Sequence, residues 1–390
     1  MKNMKKNYPL LMLLFIIILM MKYGDAYSQD DGALSQSQQQ PENAIMTFPP
    51  RDIPPPARGG GNPNPNPGSI WVNRNESPNG KPVTALTPEQ LVRDVLMGQG
   101  GDDPCAMGGT ISNVVFTGHG WNQGTKTWTE AYDRGLSYFS HGTVNQSTIV
   151  TIGGINYTVI TSLDMESGLL LTTGGGRNAE GPNSQAGHLG GGGVSLSGDP
   201  DLNSLGAGTI QTGAMLEFDF IPMQHEISFD YIFASEEYPE FVHASVNDAF
   251  GFFISGPGIP GGKQNIALLP TTSTGNYVVT INNVNNGSSG GNSPNNFPGS
   301  NPKNAQYYVG NYNSNPQGTY MEYDGRTVIL TARSSVIPGQ TYHLKLAIAN
   351  VGDGALGSGV FLRAGSLDLG SGLINLGPGG LEINNVFEGC

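Results

Sequence analysis

Cysteine is nearly absent. Cys105 and Cys390 are the only two in 390 residues, which excludes a dense disulfide framework and leaves a hydrophobic core to hold the fold. Either they pair with each other, or Cys390 bonds another chain. Charge is also sparse, at 13% of residues against about a quarter in an average soluble domain. What charge exists runs acidic, 31 Asp and Glu against 18 Lys and Arg, net −13, which repels phosphate backbones and argues against a nucleic-acid partner. Neither Cys has neighbours at zinc-ligand spacing, and the six histidines are scattered with no His-x-x-x-His pair. A zinc enzyme is therefore disfavoured. The glycine runs Gly174–Gly176 and Gly190–Gly193 lack the Lys-Ser/Thr ending of a phosphate loop and read as rim loops.

What is abundant is glycine and proline, 58 and 27 residues, too many for a mostly helical protein. The one long apolar run, Leu10 to Met21, follows Lys2, Lys5 and Lys6 and is too short for a mature membrane span. Residues 1–28 read as a signal peptide with cleavage after Ala26-Tyr27-Ser28, so the mature chain is expected to be secreted or on the cell surface, without membrane insertion. Residues 29–85 read as a disordered linker rich in Pro, Gln and Asn, including the Asn-Pro repeat of Asn62 to Pro67.

Order is expected from Thr87, where Thr-Pro-Glu-Gln forms a capping box with Pro at the first helical position, ahead of Leu91, Val92, Val95 and Leu96. Beyond this short helix the period becomes two. Leu216, Phe218 and Phe220 alternate with Glu217 and Asp219, and after a turn Ile227, Phe229, Tyr231 and Phe233 repeat the pattern, which reads as a hairpin. Similar runs occur around Phe250, Val328, Tyr342 to Ile348 and Val360. Ten or more short strands without intervening helices predict a mainly β fold, an antiparallel sandwich of the jelly-roll kind over residues 86–369, with a loop-rich tail at 370–390.

Three acidic constellations stand out. Glu236, Glu237 and Glu240 leave one strand just before Asn247 and Asp248 open the next, and carboxylates so close repel unless a proton or cation lies between them. Outside cells Ca²⁺, with its flexible oxygen shell, suits such a group. The alternatives are amide caps, or an acid and nucleophile pair of a glycoside hydrolase. Asp199, Asp201 and Asn203 alternate as a calcium loop does, but Ser204 and Ile210 replace the Gly and Glu of an EF-hand. An unrelated rim cation site or a series of Asx turns remains there. Asp353, in Val-Gly-Asp-Gly-Ala, is either a further ligand or an ordinary turn residue. Trp71, Trp121, Trp128 and the Tyr307, Tyr308, Tyr312 group are candidates for stacking on sugar rings, or else anchors of core and loops.

The segments Phe233-Ala-Ser-Glu-Glu-Tyr-Pro-Glu-Phe-Val242, Asn247-Asp-Ala-Phe-Gly-Phe-Phe-Ile-Ser-Gly-Pro257, Asn265-Ile-Ala-Leu, Val279-Thr-Ile-Asn-Asn-Val284 and Tyr342 to Asp353 resemble the choice-of-anchor L domain. That family comprises bacterial surface and secreted proteins, frequent in Bacteroidetes. The resemblance implies an exported domain ahead of a variable attachment segment, and no established enzymatic activity. Here His243 and Gly339 stand where relatives carry cysteines, and no sortase motif or apolar anchor follows Leu369, so a truncated or released member is expected. The expected function is an interaction module, for adhesion or glycan contact, partnered by an extracellular glycan or surface protein and stiffened by Ca²⁺. A carbohydrate-active hydrolase using Glu236, Glu237 or Glu240 and a passive spacer are the rival readings.

Overall fold

A computed structural model describes residues 69–73, 82–98, 109–141, 147–152, 155–183, 193–270, 277–288, 300–311 and 320–370. The segment read as a signal peptide, most of the stretch read as a linker, Cys105, Cys390 and the tail beyond Gly370 lie outside the described residues. In chain order the first strands are β1 (Trp71–Val72), β2 (Thr110–Thr117), β3 (Trp121–Asn122), β4 (Thr127–Trp128), β5 (Leu136–Ser140), β6 (Ser147–Ile152), β7 (Ile155–Ile160) and β8 (Ser167–Thr172). The middle of the chain adds β9 (Val194–Ser195), β10 (Ile210–Ile221), β11 (Glu226–Ser235), β12 (Ala249–Ser255), β13 (Lys263–Asn265) and β14 (Val279–Thr280). The last are β15 (Tyr308–Gly310), β16 (Gly325–Thr327), β17 (Leu330–Ser335), β18 (Tyr342–Val351) and β19 (Ser358–Arg363).

These strands make two antiparallel sheets. One runs β1-β5-β8-β19-β11-β16-β15 with β17 also on β11, and the other runs β13-β12-β18-β10-β2 with β14 and β9 at its sides. Hairpins β3–β4 and β6–β7 stand apart from both. The alternation read in the sequence is the inner face: Phe229, Tyr231 and Phe233 of one sheet meet Phe250, Phe252, Leu346 and Phe218 of the other in a single buried cluster. Phe252 touches Phe229 and Tyr231 edge-on, with centroids 4.4 and 5.2 Å away. The contact unites the sheets through aromatic faces and edges. This is the predicted sandwich.

Two expectations change. Strands β10 and β11 do not pair as a hairpin but belong to opposite sheets. Their connection carries the chain across the core, because each strand's apolar face is buried only by turning toward the other's. The stretch read as linker is also interrupted: β1 pairs with β5 through Trp71↔Ser140 and Val72↔Phe139, and Ile70 and Val72 are fully buried. Five residues, Ser69 to Asn73, are too few to leave a compositional mark in so Pro-rich a segment.

Both outer faces are partly covered, which explains why β11 and β18 read as almost continuously apolar. Ile232, Ala234 and Phe361 are roofed by Met321 and Tyr323. On the other sheet Ala249, Phe253 and Ala347 lie under Leu202 and Leu205. Those leucines come from and follow a helical turn, α2 (Pro200–Ser204), capped by Asp199. The earlier helical segment is α1, a turn at Pro88–Gln90 that widens to a π-helix over Leu91–Leu96. Its capping box forms as read, Thr87 Oγ1 accepting from Gln90 N and Gln90 Oε1 accepting from Thr87 N. Among the described residues no helix is long and apolar enough to cross a membrane.

Candidate functional site

The Glu-rich segment leaves β11 at the end of the sandwich. Glu236 N–H donates to Gly357 O and Glu237 N–H to Ser235 Oγ, which folds the segment inward, so Glu236 and Glu237 are each only 2% exposed. Glu240, farther along, is half-buried. Asp248, at the start of β12, is 1% exposed. It accepts from Val351 N at 2.9 Å and from Ser358 Oγ at 2.6 Å, and Ser358 Oγ lies 2.8 Å from Ser235 Oγ. Four strands, β11, β12, β18 and β19, thus meet at one short polar chain. The turn carrying Asp353 needs Gly352: its φ is +96°, and a Cβ there would stand 2.5 Å from Ser245 O.

Glu237 and Asp248 converge electrostatically. Burial first, then the charges of Asp248 and Asp353, pushes the Glu237 carboxyl up to about 8. Burial likewise raises Asp248 to about 7 against its bonds to Ser358 and Val351. Glu237 Oε2 has no hydrogen-bond partner among the described residues. Burial also raises Glu240.

The other predicted ligands serve the fold. Asn247 is a brace, donating from Nδ2 to Ala207 O and accepting at Oδ1 from Asn282 N. Asp353 is exposed, its Oδ1 accepting from Ala355 N in a turn. Asp199 caps α2, accepting from Asp201 N and Leu202 N, and Asn203 is exposed. Between the two aspartates sits an ammonium: Lys345 Nζ lies 2.6 Å from Asp199 Oδ2 and 2.9 Å from Asp201 Oδ2, and Lys263 Nζ lies 2.9 Å from Asp201 Oδ1. The positive charge expected at this loop is supplied by lysines. Among the described residues no three His, Cys, Asp or Glu side chains converge closely enough to hold a metal ion.

Space is distributed unevenly. Beside Glu236, under Tyr323 and Ser358, lies a void of about 10 Å³, room for one water and not for a sugar ring. A cleft of about 460 Å³ opens elsewhere, between hairpin β3–β4 and the approach to α1, lined by Thr84, Thr87, Trp121, Lys126, Trp128, Glu130 and Arg134. This is the size of a small-molecule site. Trp121 and Trp128 are cross-strand partners with centroids 4.8 Å apart, edge to face. Each indole N–H is already bonded, Trp121 to Gln123 Oε1 and Trp128 to Leu86 O, so orientation is fixed while both rings remain half-exposed. Arg134 stacks on Trp128 with Cζ 4.3 Å from the ring centroid. It donates from Nε to Glu130 O and from Nη2 to Thr84 O.

Of the aromatic residues picked from the sequence, Trp121 and Trp128 share this cleft. Trp71 lies in β1, Tyr308 is buried against Tyr238, and Tyr312 is outside the described residues. Arg134 and Lys126 were missed. The repeat of Trp around Asn-Gln-Gly-Thr-Lys-Thr was the available signal, since a turn of that composition sets its two Trp directly opposite each other.

Fold and site together define a two-sheet β-sandwich with a sealed acidic end and an open aromatic cleft. The chain belongs to the choice-of-anchor L domain family, which it matches over residues 79–368. That is a family of surface or secreted modules. No match was found among curated proteins, nor among solved structures.

Proposed function

We propose that this chain is a surface-borne or secreted binding module that takes carbohydrate in the Trp121–Trp128 cleft, without turning it over. The observation that carries the reading is the pair of half-exposed indoles, locked by their own N–H bonds at the wall of an open cleft edged with threonines. Sugar rings present C–H faces to aromatic rings and hydroxyls to side-chain oxygens, and both are offered here. A hydrolase working through Glu236 or Glu237 finds less support, because both are buried beside a space that admits only water.

Calcium is proposed only for the end holding Glu237 and Asp248, where burial first, and for Glu237 then the charges of Asp248 and Asp353, raises the carboxyls; with two buried carboxyls there, water would complete its shell. An immobilised glycan library, followed by calorimetry on whatever binds, tests the main reading. Trp121→Ala, in a hairpin outside both sheets, is expected to weaken binding by about 10-fold or more with an unchanged circular dichroism spectrum. Retained affinity in that variant, or release of cleaved sugar by the wild type, would overturn it.

A further inference from the structure

Resting on that carbohydrate reading, we propose that the cleft selects saccharides bearing a carboxylate, held over Trp121 and Trp128 by Lys126 and Arg134. The argument begins with the state of Arg134. Its side chain is among the largest fully buried ones, at 1% exposure, yet among the described residues it faces no carboxylate within bonding distance. Its partners are two backbone carbonyls and the Trp128 ring, and Nη1 has no partner at all among the described residues. Burial lowers the guanidinium only to about 10, so it stays charged. A buried cation neutralised by no anion projects its field into the neighbouring cleft, where the low dielectric of the walls preserves it.

Lys126 adds a second charge at the mouth. It sits in the β3–β4 turn with φ +56° and is exposed. Among the described residues it forms no ion pair. A left-handed backbone at this point is the geometry of a tight turn, and it places the residue at the tip of the hairpin whose strands carry both indoles.

Glu130 limits how much negative charge the cleft accepts. It lines the same space, and its carboxylate pairs with neither cation, leaving it to accept hydroxyl protons. Two cations against one anion favour a ring with a single carboxylate and neutral hydroxyls elsewhere. The chain's overall charge of −13 further disfavours a densely sulfated polymer. A uronic acid residue within an oligosaccharide has this chemistry.

The test uses the full mature chain and four trisaccharides: trigalacturonate, its trimethyl ester, neutral galactotriose and a sulfated galactotriose. Trigalacturonate is expected to bind about 10-fold tighter than its ester, a charge-assisted advantage the ester loses with unchanged ring shape. Lys126→Gln, on an exposed turn, is expected to remove several-fold of that preference and leave binding of the ester unaltered. Arg134→Lys, which keeps the charge, is expected to retain the preference for acid over ester, and its loss there would overturn the charge argument. Equal affinity for acid and ester would overturn the selectivity while leaving the carbohydrate reading intact. Tighter binding of the sulfated sugar would replace carboxylate by sulfate recognition. No binding by any of the four, with none on the glycan library, would end both proposals.

Discussion

Between about pH 6.5 and 8, in calcium-free buffer, thermal unfolding is expected to occur at progressively lower temperature as pH rises. The cause is the buried pair Glu237 and Asp248, whose folded values of about 8 and about 7 stand above the ordinary 4.5 and 3.8. Over that interval the folded state binds more protons than the unfolded one, so stability falls with pH. The contribution is fully present below the unfolded values and gone above pH 8. From pH 6.5 to 8 Glu237 alone accounts for roughly 2 kcal/mol, the rest of its effect lying at lower pH, and Asp248 does not simply add because the two repel. That corresponds to a drop on the order of 5 °C for a domain of this size. His141 works the opposite way at lower pH: burial first holds it neutral down to about 4, so its effect rises with pH and is complete by about 6.5. The descending limb therefore belongs to the carboxyls.

Glu237→Gln keeps the side-chain shape and removes the ionisation. Its melting temperature is expected to exceed that of the wild type at pH 8 and to vary less with pH. Scanning calorimetry at half-unit intervals decides it, and a flat or rising wild-type profile above pH 6.5 would show that the pair is hydrated or already compensated. Added CaCl₂ tests the cation proposed for the same end. Restored stability at pH 8 supports it, and an unchanged profile removes it and leaves a proton as the pair's only counter-charge.

How far this was legible from the residues depends on sequence distance. Glu236, Glu237 and Asp248 could be placed together because each leaves or enters a strand within a dozen positions, and strand ends that close share one end of a sandwich. Their burial could not be read, since it follows from Gly357 and Ser358, more than 100 residues later, folding over them. The same blindness misassigned β10 and β11 as a hairpin: alternation reveals which face is apolar, and says nothing about whether the next strand lies beside it or across the core. Strand β5 went unread for a related reason. All five of its residues are buried, so it shows no alternation, only a run too short to separate from a loop.

Asp199 and Asp201 carry the second large expectation, because their partner came from 144 and more residues away. Lys345, 7% exposed, is pulled down by burial, but its bonds to both aspartates outweigh this and raise it above an ordinary lysine. Burial raises Asp201, and its bonds to Lys263 and Lys345 outweigh that and lower it. Lys345 and Asp201 thus stay charged at every physiological pH. Lys345→Met leaves the aspartates facing each other with only the half-exposed Lys263, and a loss of about 3 kcal/mol is expected in urea unfolding. Adding Asp199→Asn and Asp201→Asn in that background should recover most of it, since amides tolerate what unpaired carboxylates do not. If Lys345→Met alone is neutral, the network is solvated and contributes nothing. Vacating the ammonium also brings back part of the arrangement the spacing suggested, alternate oxygens with Asp199 freed of its lysine and only Lys263 left on Asp201. CaCl₂ is therefore expected to stabilise Lys345→Met more than the wild type, and a smaller or equal gain would show that the loop geometry, not the lysine, excludes the metal.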